Sequence, residues 1–294
     1  MVEPVLPFWI SIALLSLAQG ALVAVPGALV DALPARLRGR RWAIIPPLSI
    51  VAFVFGARAA EHASAEGLTY LALVGVPLLA ALALGWLVWN AGPPRSARAL
   101  LVLPLFALAW ADRTGLAGEG AALALSALSC AALGVLIATV TPPRWLAAGI
   151  VAMAVADTTL VVSNLLQRPN NALNAARPVA GLPQLQSAVF GSAVMGYGDL
   201  FIAGALGGLL AASCGRPQQL HAAALTACLA LCFDLLFFVV NELPATVPVA
   251  LALVAAIITG RLRFSAAPQA PRAPRRARAR RRRGSGQPRA PAAP

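Results

Sequence analysis

Ala154-Val155-Ala156-Asp157-Thr158-Thr159-Leu160-Val161-Val162 and Met195-Gly196-Tyr197-Gly198-Asp199-Leu200-Phe201-Ile202 each set an aspartate inside an apolar run of bilayer-spanning length. A charge near the bilayer centre costs about 2.5 to 3.5 kcal/mol on insertion scales, so a carboxylate placed there is first of all a functional candidate. The rest of the chain reads the same way as the two segments. Of its 294 residues, 60% are hydrophobic and 11% charged, and the mean hydropathy is +0.79. That leaves too little polar surface to cover one soluble globular domain.

Apolar runs of about 17 to 25 residues, the length that crosses a bilayer as a helix, fall near 6–29, 42–60, 68–90, 98–113, 120–141, 144–166, 187–213, 219–240 and 243–260. The spacing predicts an all-α polytopic membrane protein of about nine transmembrane helices. The fourth run is the shortest and contains Pro104; without it eight remain. Three stretches follow along the chain: 1–141 with five spans, 142–262 with four spans and both aspartates, and 263–294 as a basic tail.

The chain has 23 arginines and no lysine. Under nine spans, Arg36, Arg38, Arg40, Arg41, Arg95, Arg98, Arg144, Arg216 and the tail fall on one side, and most acids fall on the other. Positive charge in short loops marks the cytoplasmic face, which predicts the N-terminus out and the C-terminus in. The Arg-only, Ala-rich usage suggests a high-GC bacterial genome and so the bacterial cytoplasmic membrane. The net charge of +13 is largely a property of the tail, where residues 261–294 hold 11 arginines and no acid. That composition predicts a disordered segment that anchors topology and could meet anionic lipid headgroups, with nucleic acid the less favoured partner. Met1-Val-Glu-Pro-Val-Leu-Pro7 has no basic stretch of the kind that opens a signal peptide, so the first span is expected to stay in the mature protein.

Cys130, Cys214, Cys228 and Cys232 form no Cys-x-x-Cys pair and read as small apolar core residues; His62 and His221 have no second histidine at ligand spacing. No metal or other cofactor is expected. Counting along the sixth and seventh spans from their inner ends, Asp157 and Asp199 reach similar depth, so consecutive antiparallel helices can bring them together. Two carboxylates in one low-dielectric site cannot both ionise easily; one keeps its proton and the other stays charged, the arrangement that activates water. Gly196 and Gly198 remove side chains where another backbone is expected to come close, and Gly204 to Gly208 offer a small-residue packing face.

Gly196-Tyr197-Gly198-Asp199 resembles the Gly-x-Gly-Asp motif of the presenilin and signal peptide peptidase intramembrane aspartyl proteases. That family carries its first aspartate in the sixth of nine helices and this motif in the seventh. Here Asp157 and Asp199 lie 42 residues apart in the sixth and seventh spans, separated by the Asn-rich stretch from Gln167 to Gln186. Before its last helix the family has Pro-Ala-Leu, where this chain has Leu243-Pro244-Ala245-Thr246; Thr246 replaces the leucine, and Ala156 stands where the family has tyrosine. These departures bear on substrate positioning more than on catalysis. The resemblance covers about 143–260, and the predicted orientation is that of signal peptide peptidases.

The resemblance implies peptide-bond hydrolysis within the bilayer, with one aspartate as general base on water and the other, protonated, polarising the scissile carbonyl. Substrates would be transmembrane helices with a cytoplasmic N-terminus, such as remnant signal peptides, unwound at the scissile bond. Pro244 and Pro248 are expected to hold Leu243 to Pro248 extended, with carbonyls free to pair with substrate as an added strand. Other readings remain beside it. A proton- or cation-coupled transporter would use the same carboxylates as a relay; a buried, hydrogen-bonded pair or a cap at a helix break would be structural. Prepilin-type peptidases share the motif but carry a lysine after it, and this chain has none. Asp234, a third acid in the apolar run Leu231-Cys-Phe-Asp-Leu-Leu, matches no family motif and is a candidate modulator of the pair. Asn164, Gln167, Asn170, Asn171 and Asn174 read as a solvated loop or a polar mouth.

Overall fold

The computed structural model describes residues 6–27, 37–87 and 96–262. Arg36, Arg95 and the basic tail beyond residue 262 lie outside the described residues. Ten α-helices and one hairpin follow in chain order: α1 (Phe8–Ala24), α2 (Ile45–Ala59), α3 (Glu61–Leu82), α4 (Val102–Ala111), α5 (Leu116–Val140), α6 (Pro143–Val162), α7 (Gln167–Ala175), β1 (Ser187–Phe190), β2 (Ala193–Gly196), α8 (Tyr197–Ser213), α9 (Arg216–Asp234) and α10 (Val247–Ile258). Short 3-10 turns lead into α2 and α4 and extend α9.

Each apolar run of the sequence contains a helix, though nine full-length spans are not shown. Among the described residues, four helices are long and apolar enough to cross a membrane: Ala63–Gly85, Leu116–Val140, Pro143–Val162 and Arg216–Phe238. Phe8–Ala24, Ser96–Ala111, Tyr197–Ser213 and Val247–Ile258 are apolar but shorter. Large apolar side chains such as Phe55, Leu71, Leu78, Leu103, Val162 and Ile258 stand fully outward, as a chain embedded in lipid requires. Arg40, Arg41 and Arg144 gather around Trp42 and Trp145 at one end of the bundle, with guanidinium-to-ring distances of 5.2 to 6.0 Å. This pairing of arginine with tryptophan suits a membrane interface.

The predicted all-α seventh span is the main correction. Residues 187–196 form an antiparallel hairpin, Ser187 opposite Gly196 and Phe190 opposite Ala193, and the helix begins only at Tyr197. The Gly191-Ser192 turn makes this possible, since Gly191 sits at φ +59°, a conformation that favours glycine. The first part of the polar stretch after α6, Gln167–Ala175, is likewise helical, as α7. Its last carbonyls accept from Gln184 Nε2 (to Ala176 at 2.7 Å) and Gln186 Nε2 (to Leu173 and Ala176 at 3.2 Å), which closes the helix end. Cys228 and Cys232 are exposed on α9, so only Cys130 is a core residue in full.

The bundle is built around α8, whose Leu200, Ile202, Ala203, Leu206, Leu209 and Leu210 are all buried. A helix apolar all round belongs in an interior. It packs on α5, α1, α6, α9 and α10. Against α5 the approach is backbone to backbone: a Cβ at Gly204 would strike the Cys130 carbonyl, and one at Gly208 the Gly134 carbonyl. The small-residue face expected at 204–208 therefore packs on α5.

Candidate functional site

Asp157 lies fourteen residues beyond Pro143 on α6, and Asp199 fourteen residues before Ser213 on α8. At about 1.5 Å per residue both stand some 21 Å from the same end of the bundle. The two helices pack on each other, and Asp199 lies within electrostatic reach of Asp157. Met153, one turn before Asp157, is the side-chain neighbour of Gly198: a Cβ there would meet its Cε at 3.6 Å. The structure thus brings both aspartates to one place.

Their supports come from different parts of the chain. Asp157 is 5% exposed, and its Oδ2 accepts a hydrogen bond from Thr246 Oγ1 at 2.6 Å. Asp199, half-buried, is the third residue of α8, and its Oδ2 accepts from the Gly196 backbone N–H at 3.1 Å. A carboxylate in the first helical turn reaching back to the residue before the helix is a capping contact that also suits the positive end of the helix dipole. The Tyr197 hydroxyl shares a hydrogen bond with Ser129 of α5 at 2.7 Å and pins the start of α8.

Leu243 to Thr246 arrive beside Asp157, but not as an extended, open segment. Ala245 and Thr246 form a turn into α10. The Pro244 carbonyl accepts from Val247 N at 3.1 Å, the Ala245 carbonyl from Gln19 Nε2 at 2.8 Å, and the Thr246 carbonyl from Ala250 N at 3.1 Å. Proline at the start of α10 favours helix initiation over a strand, which is why these carbonyls are taken. Thr246, a departure from the family's leucine, bears directly on a carboxylate rather than on substrate placement alone.

Asp234 is not brought to the pair. Its Oδ2 accepts from Ser16 Oγ at 2.8 Å, a bond that ties α9 to α1. Gly196 and Gly198 do not admit another part of the backbone: a Cβ at Gly196 meets only Asp199 Oδ2 at 2.9 Å, and the space beside Gly198 is bounded by Met153. Asn170 of α7 donates to Glu242 Oε1 at 3.0 Å, and Glu242 in turn lies within electrostatic reach of Asp157. The polar stretch therefore latches onto the segment before α10. His221 is exposed with its ring against the Pro217 carbonyl, and no cluster of three or more His, Cys, Asp or Glu placed to hold a metal occurs among the described residues.

Two participants escaped the sequence reading. Gln19 of α1, completely buried, donates to the Asp199 and Ala245 carbonyls. Its signal was available, as an amide in the middle of an apolar run. The other is the hairpin, signalled by two four-residue runs about Gly191-Ser192. Beside Asp157, an apolar groove of about 550 Å³ opens between α6 and α10, lined by Ala154, Val155, Thr158, Val247, Leu251 and Val254. A scan against protein-family models finds no match, and searches of curated proteins and of solved structures return none either.

Proposed function

We propose that the protein is an intramembrane aspartyl endopeptidase. The observation that carries this reading is the meeting of Asp157 and Asp199, from two helices, at equal depth in an apolar bundle. In a low-dielectric site such a pair shares a proton, leaving one carboxylate to take a proton from water and one carboxyl to polarise a peptide carbonyl. Water attacks the carbonyl carbon; the protonated partner returns its proton as the amine leaves.

The groove between α6 and α10 supports entry of an apolar helix from the side, because Ala154, about one turn before Asp157, and Thr158, the residue after it, lie on its wall. A helix must unwind for its carbonyls to be attacked, and unwound backbone in lipid needs new partners. The edge of a two-stranded sheet offers them, and β2 runs straight into Gly196 and Asp199. Strand addition to the hairpin replaces the expected addition at Leu243 to Pro248. The arginine distribution supports a chain oriented N-terminus out, and for that orientation the resemblance implies substrates with a cytoplasmic N-terminus.

The structural reading also has a foothold, since each carboxylate has a hydrogen-bond partner. Asparagine can accept both bonds, so the Asp→Asn variants separate the readings. Purified protein in liposomes is given a type II transmembrane reporter, comparing wild type with Asp157→Asn, Asp199→Asn and Asp234→Asn. Cleavage lost in the first two with folding and the third intact supports the protease. Intact reporters with a proton or sodium gradient that wild type dissipates and the first two variants hold would transfer the pair to a transporter. Variants that match wild type in both assays leave the aspartates structural.

A further inference from the structure

Gln19 joins the backbone of one aspartate to the turn that holds the other. Its Nε2 donates to the main-chain carbonyl of Asp199 at 3.3 Å and to that of Ala245 at 2.8 Å. Ala245 precedes Thr246, whose hydroxyl holds Asp157. A single amide on α1 therefore fastens the start of α8 to the turn that grips α6. The orientation of the amide is fixed by its partners, because both are acceptors and only the nitrogen can donate. Gln19 is completely buried, and among the described residues its Oε1 has no hydrogen-bond partner. A buried acceptor left unpaired destabilises, whereas an apolar side chain of the same shape would not. Packing alone therefore favours methionine or leucine at this position.

We propose that Gln19 is a positioning residue for the aspartate pair, setting the separation of the two carboxylates from a third helix. The proposal rests on the protease reading. Two carboxylates that share a proton and one water need a fixed separation, and a displacement of about 1 Å costs on the order of 100-fold in rate.

The molecule supplies its own control. Gln219 of α9 is also completely buried, and its Nε2 bridges the carbonyls of Val23 (3.0 Å), Pro26 (2.9 Å) and Gly207 (3.3 Å). It clamps the far end of α1, away from the aspartates. Gln19→Met and Gln219→Met each remove one buried bridging amide of the same kind. The full chain in liposomes is assayed with the type II reporter for kcat and KM, alongside Asp199→Asn, with thermal unfolding of each variant. Gln19→Met is expected to lower kcat about 10- to 100-fold with KM within twofold of wild type. Gln219→Met is expected to lower the unfolding midpoint at least as much and to leave kcat within about threefold of wild type, a span of under 1 kcal/mol in the barrier. The proposal is overturned if Gln19→Met keeps wild-type kcat, or if both variants lose activity in proportion to stability. A wild type as inert as Asp199→Asn overturns the protease reading and this inference with it, an outcome distinct from either of the others.

Discussion

Thr246 carries more of the site than its small side chain suggests. Its hydroxyl donates to Asp157 at 2.6 Å, and such a bond contributes about 0.5 to 1.5 kcal/mol to a neutral acceptor and about 1.5 to 3 kcal/mol to a charged one. Thr246→Val removes the donor and keeps the shape, so kcat on the reporter should fall about 10- to 100-fold, with Thr246→Ser close to wild type. A valine variant with undiminished kcat would remove Thr246 from the site. Gly198 makes the opposite case. A Cβ there meets Met153 at ordinary contact distance, so Gly198→Ala should fold with a midpoint near wild type. If the space beside Asp199 receives substrate, the same variant should raise KM several-fold; an unchanged KM would place substrate elsewhere. Asp234 should behave as a tether: Asp234→Leu breaks the bond to Ser16 and should cost about 1 to 3 kcal/mol of stability, with kcat per folded molecule unchanged.

At the scale of elements, the aspartates and their helices were legible because a charge in an apolar run is costly wherever it falls along the span. The hairpin was not. Ser187 to Gly196 continues without a polar break into the apolar run of α8, and a short apolar stretch cannot be divided between strand and helix by periodicity alone. The Gly191-Ser192 turn was the available signal, masked by counting the run for its length. Pro244 misled in the other direction: with Pro248 it suggested extended chain, yet Pro248 sits at the start of α10, where its missing N–H leaves no bond unmade. The hairpin is held from outside by Glu119 of α5, whose Oε2 accepts from Gly191 N at 2.6 Å. Glu119→Ala together with Gly191→Val, which forces a β-branched residue into positive φ at about 1 to 3 kcal/mol, should speed hydrogen exchange across 187–196 while α9 stays protected. Uniform speeding over both regions would mean that the hairpin opens only with the whole fold.

For the whole molecule, the order of the chain and the order of packing differ. The first five helices lie outside the stretch that carries the resemblance, yet α1 lies against α8, α9 and the hairpin, and α5 makes the closest approach to α8. Gln19 is visible in the sequence as an amide in an apolar run, but its partners, the Asp199 and Ala245 carbonyls, are set by the packing of the bundle and lie beyond a span-by-span reading. The same packing makes the orientation testable. From Tyr197 to Ser213, α8 covers about 25 Å, short of a hydrocarbon core of roughly 30 Å. The hairpin makes up the remainder at one end, its Ala188, Ala193 and Met195 buried in the bundle, where non-helical backbone is tolerated at membrane depth. Ser192 and Ser213, both exposed, then mark opposite faces. In a background with the four cysteines replaced, Ser192→Cys should react with a membrane-impermeant maleimide added to whole cells, and Ser213→Cys only after the membrane is opened, because Arg40, Arg41 and Arg144 cluster at the end opposite the hairpin. The reverse pattern would turn the chain over and, on the protease proposal, call for substrates whose N-terminus lies outside the cell.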